Sequence, residues 1–227
     1  MKTMKIKSIL ATALMMVSLT TMAQIKKGTV SYDVYMSSDD PNVSAYVDQM
    51  GESTLDIHFT EFNIRTDLIM GSFMTNSTIS EIDYDTSLVL MDGMMGKIAM
   101  KVTDEDMSDD QRAAFENVDV ELVDETKEIM GYTCKKAYVT TEDENESVVW
   151  YTEEILPVYR KGQFLSEEIP GLPLEMEAKN GKMNMRMVAY KFKSKIKNEK
   201  EIFSLEVPEG FKIYTPEELK KMGMGGR

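Results

Sequence analysis

The chain has 227 residues, with 26 Lys and Arg against 39 Asp and Glu, which gives a formal net charge of −13. Such an excess of negative charge repels phosphate backbones and anionic headgroups, so it argues against nucleic acid as a partner and leaves only apolar or local membrane contacts. The charge itself is best explained as a means of keeping the protein soluble. The length is sufficient for one sizeable core.

Residues 1–23 have the pattern of an N-terminal export signal. Three lysines precede the apolar run 9–19, and small residues that suit cleavage follow at 21–23. The alternative is a membrane anchor, but a bilayer span needs about 20 apolar residues, and Ser and Thr interrupt this shorter run. We therefore predict a periplasmic or secreted protein that begins near Gln24, without a lipidation cysteine and without a later transmembrane segment.

Cys134 is the single cysteine, so no intramolecular disulfide can form. It lies in a predicted strand, where a free cysteine usually behaves as a small buried apolar side chain. We predict a buried, inert thiol, with an intermolecular disulfide as the alternative if the thiol is exposed.

Apolar residues alternate with polar ones along most of the chain after residue 28, which is the pattern of β-strands. Val30, Tyr32 and Val34 show it first, and the period changes phase after Phe59, as a turn or bulge requires. Short connections such as Asn180-Gly181 favour antiparallel hairpins. Further predicted strands are 78–84, 87–91, 97–102, 119–123, 132–140, 147–152, 174–178, 182–193 and 202–207.

Three short helices are predicted from their capping residues. Asp40 precedes Pro41, and Gly51 stops the first helix; Ser108 begins a second, through about 117; Thr215 begins a third. Together these elements predict a mainly β (α+β) fold, a single curved antiparallel sheet or half-open β-barrel with a few short covering helices. We expect one exported domain over residues 24–227.

Residues for catalysis or metal binding are few. His58 is the sole histidine, and its place between Ile57 and Phe59 predicts a surface imidazole on the polar side of a strand. No nucleophile turn, phosphate-binding glycine loop or Cys-x-x-Cys pair is present. The acidic run 104–110 lacks the alternating ligands and central glycine of an EF-hand loop. We predict no catalytic residue, no metal site of this kind and no cofactor.

Methionine is unusually frequent, with 21 residues, of which five lie in 1–23. Met183, Met185 and Met187 fall on one face of a predicted strand. Flexible, polarizable thioethers suit three roles: filling the core, forming an adaptable surface for an irregular apolar ligand, or coordinating Cu(I).

Several segments together resemble an exported family, the one catalogued as domain of unknown function 4412. They cover most of the chain, most strongly 125–219, and consist of 63–67, 79–90, 127–136, 149–152, 169–173 and 207–211. That family has no established activity. In outline it is similar to the lipoprotein-carrier (Lol-type) group of the Gram-negative envelope, which implies a half-open antiparallel barrel with helices over an apolar concave face. No binding residue transfers by motif.

We therefore expect a non-enzymatic carrier or sensor that binds lipid, or the acyl part of an acylated protein, in the concave sheet. Burial of apolar surface would supply the affinity, at about 25 cal/mol per Å². The residues expected to line the cavity, or to form the core beneath it, are Val30, Tyr32, Val34, Leu55, Ile57, Phe59, Trp150, Tyr151, Met183, Met185 and Met187.

Three other functions stay open at this point. An envelope protein-interaction module would use sheet edges and the acidic surface. An enzyme is disfavoured because His58 is the sole histidine. A methionine-based Cu(I) carrier would use Met183, Met185 and Met187.

Overall fold

A single β-sheet organises the part of the chain that the computed structural model describes, which is residues 24–106, 118–141, 145–158 and 168–222. Its strands are β1 (Gly28–Ser38), β2 (Ser53–Phe59), β3 (Asn63–Met70), β4 (Met74–Glu81), β5 (Thr86–Gly93), β6 (Gly96–Thr103), β7 (Val118–Ile129), β8 (Tyr132–Thr141), β9 (Glu146–Thr152), β10 (Leu172–Asn180), β11 (Met183–Lys193) and β12 (Lys212–Ile213). The α-helices within these ranges are α1 (Pro41–Met50), α2 (Glu199–Ile202) and α3 (Pro216–Lys221).

The strand order shows two meanders joined by one long-range pair. The order is β12-β6-β5-β4-β3-β2-β1-β11-β10-β9-β8-β7. Strands β1–β6 each pair with the next along the chain, as do β7–β11, and β1 pairs with β11 to connect the two sets. All neighbours are antiparallel except the short pair of β12 and β6, which is parallel. The predicted antiparallel, mainly β architecture is therefore confirmed.

The sheet curls without closing into a barrel. Strands β8 and β11 are separated by two others, so their backbones would lie about 14 Å apart in a flat sheet. Yet the ring of Tyr132 lies edge-on to that of Phe192 with 6.2 Å between centroids. The largest core cluster likewise joins Cys134 of β8 to Val30 of β1 and Ile57 of β2. Strands β7 and β12 remain as the two edges of the sheet.

Residues 199–211, which we call the C-terminal segment, cover one face of strands β4–β6. Leu205, Val207 and Phe211 pack against a second cluster, formed by Ile79, Leu88, Leu90 and Ala99. The predicted strand 202–207 is wrong, because α2 ends at Ile202 and residues 203–207 belong to no strand. Leu205 and Val207 alternate because one side of an irregular segment packs on the sheet.

Helix α1 forms as its capping residues predict. The Asp40 side chain accepts a hydrogen bond from the Asn42 backbone N–H at 3.0 Å, Pro41 occupies the first position, and Gly51 follows the last at φ 73°. Val47 is the buried residue of α1. Helix α3 carries the expected capping box at Thr215 and Glu218.

Strands β4 and β7 differ most from their predicted bounds, and one helix cannot be compared. Strand β4 runs from Met74 to Glu81 rather than over 78–84, because Ile82 and Tyr84 lie in the following turn and are 46% and 56% exposed. Strand β7 continues past 123 to Ile129 through a bulge. The helix predicted over 108–117 lies outside the described residues.

Candidate binding face

The register places every methionine of the described strands on one side of the sheet. Directly opposed residues in antiparallel strands point to the same face. Val34 lies opposite Met187 on one side and Ser53 on the other, and Ser53 lies opposite Met70. Extending this pairing gives what we call the methionine face, with Met36, Met70, Met74, Met91, Met100, Met176, Met183, Met185 and Met187.

Most of the residues that the sequence predicts as lining are core residues on this face. Val30, Tyr32, Val34, Leu55, Ile57, Phe59 and Met187 are 0–7% exposed and belong to one cluster. Tyr151 is 2% exposed in a neighbouring cluster with Ala137, Val149 and Ile169. Met183 and Met185 remain partly exposed. The register thus brings these residues together, mostly as buried core rather than as accessible surface.

The accessible part of the methionine face lies on β3–β6, where the sequence analysis predicts no binding residue. Met70, Met74, Met91 and Met100 are all partly exposed. Strand β5 is apolar on both faces, because Leu88 and Leu90 pack under the C-terminal segment while Met91 points the other way. Alternation is therefore absent there, and only the pairing with β4 and β6 shows which side Met91 occupies.

Helix α1 closes a cavity at one end of this face. The cavity has a volume of 530 Å³ and is lined by the apolar residues Val34, Met36 and Val47, by Ser53, and by the acidic residues Asp33, Asp48 and Glu52, among others. The Ser53 residue is 4% exposed, and its Oγ has no hydrogen-bond partner among the described residues. The ring of Tyr46 on α1 packs edge-on against Phe73 in the β3–β4 turn, with 6.3 Å between centroids. The helix is thus held over the ends of β1–β4.

Trp150 belongs to a charged cluster on the face of the sheet opposite the methionine face. The Lys127 Nζ lies 4.2 Å from the centroid of the Trp150 ring and 2.5 Å from Glu175 Oε2. Arg186 also binds Glu175, at 2.9 Å. Burial tends to raise the pKa of Glu175, but the hydrogen bonds from Lys127 and Arg186 outweigh it and lower that pKa. Trp150 and Tyr151 therefore point to opposite faces, as strand neighbours must.

A shallow groove of 480 Å³ crosses β1, β11, β10 and β9 beside this cluster. Tyr35, Arg186, Glu177 and Asn184 are among its lining residues. Apolar Val148 and Met185 line the groove as well, and Tyr35 is 55% exposed within it. The groove therefore combines hydrogen-bonding side chains with apolar surface.

His58 is not the surface residue that its strand position predicts. Its side chain is 15% exposed, with Nδ1 2.8 Å from Thr29 Oγ1 and Nε2 3.3 Å from Asp67 Oδ2. Arg65 Nε donates to both Asp67 oxygens, at 2.9 and 2.8 Å, and Ser77 Oγ donates to Oδ1. Arg65 also donates to the Ile202 carbonyl of α2 at 3.0 Å. This polar network connects the C-terminal segment to the sheet, and it gives both ring nitrogens of His58 a partner within the protein.

Acid should weaken the fold through Asp67. Burial alone raises the pKa of this carboxyl, but hydrogen bonds from His58, Arg65 and Ser77 lower it from 3.8 to about 2. Because the folded pKa is depressed, the resulting stability is complete above pH 3.8 and is lost as the pH falls towards 2. We expect a loss of about 2 kcal/mol from this group over that interval, measured by urea unfolding at successive pH values. An unchanged urea midpoint between pH 5 and pH 2.5 would contradict the assignment.

Cys134 has the buried position that the sequence predicts. It is 0% exposed, and burial raises the pKa of its thiol to about 11. Within the described ranges, no group of three or more His, Cys, Asp or Glu side chains could hold a metal ion. In the same part of the chain, no helix combines the length and the apolarity needed to cross a bilayer.

A family model described as the N-terminal domain of the N-glycanase peptide matches residues 67–211. Among solved structures, PNGF-II in space group P21 aligns with a TM-score of 0.49 and 14% identity. The alignment covers 87% of this chain and 33% of PNGF-II, so the chain spans about a third of that protein's length.

Two further solved structures are similar at lower scores. The Mycobacterium tuberculosis lipoprotein LppX aligns with a TM-score of 0.37 and 9% identity, over 74% of this chain and 88% of LppX. The Pseudomonas aeruginosa MucA/MucB complex aligns with 0.41 and 13%, over 78% of this chain and 55% of the matched chain. No curated protein matches the chain.

Proposed function

Since the chain belongs to the family of N-glycanase N-terminal domains, we propose that it is an exported, non-catalytic binding domain for an apolar ligand. The ligand class we favour is lipid, or the acyl part of an acylated protein. The observation that carries this proposal is the single face on which all nine strand methionines lie. A surface of thioethers is apolar yet can adapt its shape, which suits flexible acyl chains.

The binding surface is the part of the methionine face on β3–β6. The partly exposed residues there are Met70, Met74, Met91 and Met100. The side chains on the same face of β1 and β2 are buried in the core. The cavity under α1 continues this surface at one end. An acyl chain laid along these strands would exchange water for thioether and aliphatic contacts, without any chemical step.

The surroundings of two candidate catalytic groups support the proposal that no chemical step takes place. His58 is held by Thr29 and Asp67 within a hydrogen-bonded network. The Cys134 thiol is buried and has a raised pKa, so little thiolate forms near neutral pH. The surroundings of both groups support our proposal of binding without a chemical step.

A charged residue on the methionine face should weaken binding. We expect Met74→Lys to weaken the binding of the uncharged probe N-phenyl-1-naphthylamine at least about tenfold, because the apolar ligand would cover an unpaired ammonium group. Fluorescence titration measures the effect. Thr75→Lys is the matched control, since Thr75 is the next residue of the same strand, is also partly exposed and faces the other side.

Native mass spectrometry of the protein from its own cells tests the ligand class. A bound species of lipid mass, released by solvent extraction, supports the proposal. Equal probe affinity in the Met74→Lys and Thr75→Lys variants contradicts it.

The second candidate is a protein-interaction module, favoured by edge strand β7. This strand has 12 residues, pairs only with β8 among the described strands, and leaves Leu122 54% exposed. A free edge offers backbone hydrogen bonds to an added strand. A copurified protein in place of a lipid in the mass spectrum would favour this second function.

A further inference from the structure

Strands β1, β10 and β11 bring five methionines of the methionine face together, away from the β3–β6 surface. Met183, Met185 and Met187 occupy alternate positions of β11. Met36 lies directly opposite Met185, and Met176 directly opposite Met187. Opposed residues of this kind have Cβ atoms about 4.5–5.5 Å apart, and alternate residues on one strand lie about 7 Å apart. Flexible methionine side chains can therefore bring several sulfurs to one point.

The neighbours of this cluster are neutral on the same face. Ser38 lies opposite Met183, and Ala178 lies opposite Met185. No lysine or arginine stands at these paired positions, so no fixed positive charge opposes a bound cation there. Because the Ala178 side chain is short, it leaves room beside Met185 for the longer methionine side chains.

An ion has a route into the cluster. Met183 and Met185 are partly exposed at the start of β11, next to the β10–β11 turn. Met187 is 3% exposed and lies in the core. Met36 lines the cavity under α1. The ligating sulfurs would thus range from accessible to buried, with the entry at the α1 end of the sheet.

We propose that Met36, Met183 and Met185, with Met187 behind them, form a binding site for Cu(I). Thioether sulfur is a soft, neutral ligand, and Cu(I) is the soft cation that it selects over Ca²⁺, Mg²⁺ and Zn²⁺. This ligand class differs from that of the proposed function and uses different strands. The failure of one assignment therefore leaves the other standing.

The test separates thioether coordination from apolar contact by replacing methionine with leucine. Leucine keeps the volume and apolarity of the side chain but removes the sulfur, and such swaps usually cost less than about 1.5 kcal/mol of stability. The full chain is titrated with Cu(I) under reducing conditions, in competition with bicinchoninate. Native mass spectrometry with Ag(I), a soft cation that is stable without a reductant, gives the stoichiometry in a separate sample free of reductant.

We expect one Cu(I) per chain in the unsubstituted protein. The triple variant Met36→Leu, Met183→Leu, Met185→Leu should bind it at least about tenfold more weakly, because even outer-shell changes cost metal sites 10–100-fold. The control variant Met70→Leu, Met91→Leu, Met100→Leu should keep the original affinity. Both variants should keep the far-UV circular dichroism spectrum and the urea unfolding transition of the unsubstituted protein, which shows that they are folded.

The pH dependence supplies a second readout. Thioethers do not titrate, so the affinity for Cu(I) should stay constant between pH 5 and pH 8, whereas a histidine or cysteine ligand would lose metal towards pH 5. No Cu(I) binding by the unsubstituted chain, equal binding by the two leucine variants, or a fall in affinity at pH 5 would each overturn the proposal.

Discussion

Replacing Asp67 by asparagine should lower the free energy of unfolding by about 3 kcal/mol at pH 7. The substitution leaves the Arg65 guanidinium, 24% exposed, without the carboxylate that accepts two of its hydrogen bonds. Breaking a buried pair on one side leaves an uncompensated charge and costs about 3–5 kcal/mol, of which the lower end suits a partly buried group. Urea unfolding of Asp67→Asn beside the unsubstituted protein measures the loss.

Asp56→Asn is the control for this substitution. Asp56 lies directly opposite Asp67 on β2 and shares its face, yet none of the described hydrogen bonds or ion pairs involves its side chain. We expect it to change stability by less than about 0.5 kcal/mol. The same urea midpoint for Asp67→Asn and the unsubstituted protein would show that the network does not hold the C-terminal segment.

Replacing Gly71 by alanine should displace α1 and open the cavity under it. Gly71 has φ 51°, and a Cβ built there would lie 2.0 Å from the Met50 carbonyl oxygen at the end of α1. The left-handed backbone costs about 1–2 kcal/mol with a side chain, and the steric conflict adds about 1–3 kcal/mol. We expect a total loss of about 2–5 kcal/mol in urea unfolding.

Gly181→Ala separates the two causes. Gly181 has φ 58°, nearly that of Gly71, but an added Cβ meets nothing within 4 Å. This variant should show the backbone cost alone, about 1–2 kcal/mol. Equal losses in the two variants would mean that α1 yields to the new methyl group without cost, and that its contact with the β3–β4 turn does not fix its position.

The sequence predicts most of the elements because their signals are local. Asp40, Pro41 and Gly51 determine α1 through hydrogen bonding and backbone geometry within about ten residues. Alternation likewise locates most strands and their antiparallel order. It fails at 202–207, where the same period arises from one-sided packing of an irregular segment.

The binding face could be predicted only in part, because its assembly depends on register between strands. Met183, Met185 and Met187 share a face by their spacing alone. Met36 and Met74 join them only through pairs of strands whose register the sequence does not display. The Asp67 network had one local signal, since the short turn after Phe59 places His58 opposite Arg65.

The pairing of β1 with β11 also governs how the chain can fold as it is made. β1 begins at Gly28, yet its second neighbour is complete only at Lys193. Each meander consists of neighbouring hairpins and can form from local contacts, whereas joining the two requires closure of a loop of well over a hundred residues. Until that closure, one edge of β1 stands open beside the apolar side chains that later form the core. The nascent chain therefore has one edge of β1 unpaired until β11 has been synthesised, and assembly of the sheet is completed from the C-terminal side.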